Sequence, residues 1–261
     1  MIEMHQLAAA LYLGAGIAAW LGVALPAPQL GRVAVGVLGL GALIHAPAFA
    51  FLHNAEPPIP ITDLPAAVSL MSLLAVLFYL ALLLRVRLTG LLVLVAPAAF
   101  LGVFFAALRL SDPGDPSFAG AGSWPHAHVV LASAGFAFLG VAGLAGLLFL
   151  TENRRLKTKK FLSLPLPSLE ALDRVNLAAL ALGFPLLTLG VLTGVLWVQT
   201  ESGRPWTGSA HELWNALGWA LYAGLATARF AGHQGSRSAA AASVGAALFL
   251  LFAVVGVGVL A

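Results

Sequence analysis

Eight runs of roughly 20 apolar residues, each long enough to cross a hydrocarbon core about 30 Å thick, set the limits on this fold. They fall at about 7–25, 33–52, 64–84, 88–108, 128–150, 175–198, 212–230 and 239–260. Backbone in lipid has to satisfy its own hydrogen bonds, so runs of this length predict helices. The chain is 61% hydrophobic and only 9% charged, whereas a soluble domain carries about 25% charged residues. Its solvent is therefore lipid. The expectation is an all-α polytopic membrane protein, a bundle of about eight transmembrane helices forming one transmembrane domain over residues 1–261, with no separate soluble domain. No basic residue precedes the first run, so it does not read as a cleavable signal.

An even number of spans puts both termini on one side, and the basic residues choose the side. Arg32, Arg85, Arg87, Arg154, Arg155, Lys157, Lys159, Lys160, Arg174, Arg229 and Arg237 all fall in alternate connections; only Arg109 and Arg204 lie on the other face. The positive-inside rule makes the first group cytoplasmic. Both termini are then expected to be periplasmic, in a multi-pass protein of the bacterial inner membrane. The run "RRLKTKK" reads as a topology anchor or a patch for anionic lipid head groups, not as a nucleic-acid site.

The external connections, 53–63, 109–127 and 199–210, are rich in Pro and Gly and read as irregular loops. On the cytoplasmic side, 151–174 is the long connection, and "SLPLPSLEALDR" predicts an amphipathic helix capped by Ser168. Pairs of small residues one turn apart, Gly190/Gly194 and Ala142/Gly146, suit close helix packing.

Chemistry in such a bundle depends on its few polar side chains. Six of the seven histidines, His5, His45, His53, His126, His128 and His211, fall at or near the external face, and His233 is cytoplasmic. An interfacial role suffices for any one boundary histidine. His45 differs, because an ionisable residue inside a span is costly and marks either a functional site or a hydrogen bond to a neighbouring helix. Trp124, Trp197, Trp206, Trp214 and Trp219 crowd the same face. They form either an interfacial belt or a flat platform for a flat ligand. Arg109 and Arg204, the two external cations, are surface decoration or partners for ligand carboxylates. Imidazoles, aromatic planes and a few cations together suit haem, with its two axial positions, its macrocycle and its two propionates.

Other chemistries fare worse. "HELWN" resembles the opening of a zinc-protease helix, but that motif requires a second histidine at 215, where Asn215 stands. There are no cysteines, which excludes disulfides, thiolate metal sites and covalent haem attachment. No phosphate-cradling loop and no Ser-His-Asp set is legible. The expectation is a binding protein, not an enzyme.

The stretches "WPHAHVVLASAGFAFLGVAGLAGLLFLTENRRLKTKK" and "GFPLLTLGVLTG" resemble the integral-membrane cytochrome c assembly proteins of the CcsA, CcmC and HemX types. In the CcsA branch that family carries an external haem motif, WxWDPKExW. It aligns with the stretch from Trp206 to Trp214 here: Trp206, Glu212 and Trp214 match, while Gly208, Ser209, Ala210 and His211 replace the second tryptophan, the aspartate, the proline and the lysine. The CcsA-branch histidine of the following span falls at or near Thr227 and is absent. The late external histidine of that branch is absent too. His211 with a degenerate motif, and His45 in the early span, look like the HemX/YpjD branch.

The resemblance implies a haem-binding protein of cytochrome c biogenesis or haem homeostasis. His128 and His211 would be ligands of the haem iron, with Trp206 and Trp214 flanking the ring and His45 a further ligand or acceptor. Arg109 and Arg204 complete the expected site. The implied partners are other cytochrome c maturation proteins or glutamyl-tRNA reductase. The alternatives are a transporter of a small solute or metal ion, with His45 as relay, and a non-catalytic membrane regulator of a haem-synthesis enzyme.

Overall fold

The computed structural model of the chain describes residues 2–25, 27–53, 61–110, 123–158 and 166–260, without the side chains of 49, 50, 52, 53 and 255–260. The side chain of His53, Lys159, Lys160 and most of the 53–63 and 109–127 connections lie outside the described residues. Among the described residues every regular element is helical: α1 (Ile2–Ala24), α2 (Pro28–His53), α3 (Leu64–Leu83), α4 (Leu92–Arg109), α5 (Ser123–Lys157), α6 (Leu169–Ser202), α7 (Ala210–Phe230) and α8 (Ser236–Leu260). A short 3-10 turn, Thr89–Leu91, leads into α4.

Seven of the eight helices are long and apolar enough to cross a membrane by length and composition. The exception is α7, whose apolar run is diluted by His211, Glu212, Asn215 and Arg229. Its contacts nonetheless lay it along α6. Trp219 Nε1 donates to Thr188 Oγ1 at 3.0 Å, and further along Arg229 reaches Asp173 at 2.7 Å. Between these two contacts it runs antiparallel to α6.

Lipid as solvent inverts the usual sorting of side chains. The packed face of α1 is Ala8, Ala9, Tyr12, Ala15, Gly16 and Ala19, while Leu7, Leu13, Ile17, Trp20 and Leu21 point outward. Small residues let helices approach closely, and large apolar ones lose nothing by facing lipid. Two groups of helices result. α1 packs on α2 and α4, with α3 beside α4; α5 packs on α6 and α8, with α7 across α6 and α8. The groups meet where α3 lies on α5, and there Phe78 stacks on Phe138 with ring centroids 3.9 Å apart.

The expected amphipathic helix around 168–174 is not a separate element. Ser168 does cap it, accepting from the Ala171 amide at 3.2 Å, but the helix continues unbroken to Ser202. Nothing after Ser168 stops it until Gly203, whose φ of 71° ends α6 in the left-handed conformation. Pro185 sits inside the helix, as membrane helices tolerate. At 34 residues α6 is about 51 Å long and overshoots the hydrocarbon core.

The chain order gives the bundle two unlike ends. One carries Arg85, Arg87, Arg154, Arg155, Lys157, Arg174, Arg229 and Arg237. The other, called here the histidine end, carries His5, His126, His128 and His211, the beginning of α1 and the last turns of α8.

Candidate functional site

At the histidine end a cleft of about 700 Å³ opens between the first turns of α3, α5 and α7 and the last turns of α6 and α8. His128, in the second turn of α5, and His211, in the first turn of α7, both line it. Trp197 of α6 and Trp214 of α7 supply aromatic walls, while Met71, Val129 and Phe136 make the deeper lining apolar. Concave, mostly apolar sites of this size with a few convergent polar groups are typical of ligand pockets.

Each wall residue is held by a local device. His128 is half-buried, with Nδ1 2.8 Å from the carbonyl oxygen of Gly190 and its ring 5.9 Å from that of Trp197. Trp197 in turn donates Nε1 to Glu201 one turn on, at 2.9 Å. Trp214 packs between Phe249 and Phe252 of α8, at centroid distances of 5.7 and 5.4 Å. His211 is exposed in the N-terminal turn of α7.

Glu212, one of the three motif matches, is occupied. Its carboxylate accepts from the Thr207 and Gly208 amides, both at 2.9 Å, and from the Thr207 hydroxyl at 2.6 Å. Ser209 caps α7 by accepting from the Glu212 amide at 3.3 Å. Together they form the Ser-x-x-Glu capping box, in which side chain and backbone satisfy each other's free groups. The spacing is readable in the sequence, and it accounts for Glu212 without any ligand. Gly208 stands at φ 81°, a backbone region that side chains avoid. A tryptophan at that position, as in the CcsA-branch motif, would strain this turn.

The structure thus brings together only part of the expected constellation. His128, His211 and Trp214 share the cleft. Trp206 and Arg204 are exposed on the 203–209 loop and do not line it. Arg109 ends α4 in the other group of helices and does not line it either. The charged groups at the described rim are the carboxylates Glu201 and Glu212, not cations. Trp197 was readable only as one of several boundary tryptophans; its i, i+4 pairing with Glu201 is the signal that singles it out.

His45 belongs to a second, fully buried cluster. Its Nε2 lies 2.9 Å from Ser69 Oγ on α3, and its Nδ1 lies 3.2 Å from the Tyr12 hydroxyl on α1. His5 joins from α1, with Nε2 3.2 Å from the same Ser69 oxygen and its ring 5.4 Å from that of His45. Both histidines are 0% exposed. Gly41 opens the space for this, since a Cβ there would meet the Tyr12 ring at 2.7 Å. His5 reads in the sequence as a boundary histidine, yet it sits on the helical face of Ala8, Ala9, Tyr12 and Ala15 that α1 packs inward. That periodicity was the available signal. Ala67 and Met71 of α3 line the cleft while Ser69 between them faces the buried cluster, so one helix separates the two sites at one depth.

The family described as cytochrome c assembly protein matches residues 38–261 of the chain. Among curated relatives, the cytochrome c biogenesis protein CcsA of Thermosynechococcus vestitus is 38% identical over 77 residues, 29% of this chain and 24% of that protein. CcsA of Chlamydomonas reinhardtii is 29% identical over 161 residues, 58% of this chain and 44% of that protein. In each case the match spans less than half of the relative's length. On the extent of the family match, the chain belongs to the cytochrome c assembly protein family.

Proposed function

We propose that this protein serves cytochrome c assembly by holding haem in the cleft at the histidine end, as a binding and delivery protein that makes no covalent bond itself. The observation that carries this reading is that His128 and His211, from helices far apart in the chain, open onto one aromatic-walled cleft. The donor set fits the group: two imidazoles could bind iron, and the apolar lining suits a macrocycle. When bound, haem supplies an iron centre that accepts imidazole nitrogen. His128 and His211 would hold it, with Trp197 and Trp214 against the ring. Arg204 and Arg109, lying outside the lining, would not anchor its carboxylates as the protein stands.

The degenerate Trp206–Trp214 stretch and the histidine at 211 support placement in the HemX-like branch. The distribution of Arg and Lys between the two ends supports a histidine end facing outward from a bacterial inner membrane. Purification in detergent with added haem, followed by an absorption spectrum, tests the reading. A Soret band that shifts in His128→Ala and in His211→Ala is expected; full haem occupancy with an unchanged band in both variants would falsify it.

A second reading, transport of a small solute or metal ion, is favoured by the buried cluster of His5, Ser69, His45 and Tyr12. Metal-dependent uptake into vesicles, abolished in His45→Ala and with no haem copurifying, would select it.

A further inference from the structure

Gly190 and Gly194 stand one turn apart on α6, a spacing suited to close helix packing. Only one of them serves that purpose. A Cβ at Gly190 would meet the backbone of Ala132 at 2.9 Å, so Gly190 is where α5 and α6 touch. A Cβ at Gly194 would instead meet the His128 ring, with Nδ1 at 2.8 Å and Cε1 at 2.9 Å. The same Nδ1 lies 2.8 Å from the Gly190 carbonyl oxygen. A carbonyl only accepts, so Nδ1 carries the proton, and in the neutral ring the lone pair is left on Nε2.

We propose that the Gly190–Gly194 notch of α6 is a positioning device for the cleft: it seats the His128 ring, fixes the Nδ1–H tautomer and leaves Nε2 as the one ring nitrogen able to bind a metal centre. A backbone carbonyl is one of the common partners of the distal nitrogen of a metal-binding histidine, since it sets both ring orientation and tautomer. The ligand rests on the haem reading above; the seat and the tautomer do not.

Gly194→Ala separates this from ordinary packing. What a Cβ at 194 displaces is the far end of a side chain and not a helix, and alanine is the better helix former. The unfolding midpoint in detergent is therefore expected to match or exceed wild type. In the same variant the 15N-histidine signals of His128, assigned by their loss in His128→Ala, should lose the Nδ1–H pattern. Haem affinity should fall at least tenfold, with the spectrum moving to that of His128→Ala. Gly190→Ala, pressed against Ala132, should lower the midpoint.

A Gly194→Ala protein that keeps the wild-type tautomer and spectrum overturns the proposal. So does one that fails to fold, since that makes Gly194 a packing residue. If wild type binds no haem, the functional reading fails, while the tautomer measurement still judges the notch.

Discussion

His5 and His45 share one hydroxyl: both Nε2 atoms lie on Ser69 Oγ, at 3.2 and 2.9 Å, and both rings are cut off from solvent. A serine has a single proton, so it donates to one ring and accepts from the other. Removing the hydroxyl in Ser69→Ala leaves both nitrogens without it, at a cost of about 1–3 kcal/mol. A lower unfolding midpoint in detergent is expected, with any haem spectrum arising from the proposed cleft site unchanged. An unaltered midpoint would show that the three residues are merely neighbours.

Arg229 and Asp173 fasten α7 to α6, with side chains 9% and 25% exposed. Breaking one partner of a largely buried pair strands a charge, and partial exposure holds the cost to about 1–2 kcal/mol. Arg229→Gln and Asp173→Asn should each destabilise, while the double variant costs less than the two singles combined. Additive losses in that cycle would deny the coupling.

The chain contains no cysteine, so single cysteines report topology without interference. Cysteines at 126 and 206 should react with an impermeant maleimide from outside intact cells, and those at 157 and 233 only after permeabilisation. The pair 206 and 233 decides whether α7 crosses. Labelling of both from one side refutes it.

The two tryptophans on the cleft wall should matter more than the one on the loop. Trp197→Phe and Trp214→Phe are expected to weaken the proposed haem binding several-fold, since phenyl covers less apolar area than indole, at about 25 cal/mol per Å², and Trp197→Phe also loses the bond to Glu201. Trp206→Phe, exposed and outside the lining, should bind as wild type does. Equal losses at 206 and 197, measured by titration of tryptophan quenching, would instead favour the motif over the geometry.

The capping box predicts a local effect. Glu212→Ala removes the acceptor for three donors of residues 207 and 208 and should cost about 1 kcal/mol at the start of α7. Faster proteolysis within 203–210 is the readout, and an unchanged cleavage rate counts against it.

What the sequence determined by itself follows from one-dimensional physics. Apolar runs of membrane length dictate helices because lipid offers the backbone no partner. Composition likewise determines the class of protein, and the spacing of the basic residues gathers them at one end of the bundle. Ser168 as a cap and Gly190 as a close-approach residue were also legible from near neighbours in the chain, whereas Gly194, paired with it by spacing, faces the His128 ring instead. Only the tertiary structure decided which polar residues meet. His128 and His211 share a cleft because α5, α6 and α7 pack side by side, whereas His45 turns instead to Ser69 and Tyr12. His5 is buried because the small-residue face that carries it is the face α1 packs inward. Arg109 and Trp206, placed with His128 and His211 by position along the chain, are left outside: α4 packs in the other group of helices, and Trp206 is exposed while its loop neighbours Thr207 and Ser209 line the cleft. Spacing tells how far a residue lies along a helix, but which helix face finds a partner is set by packing among helices distant in sequence.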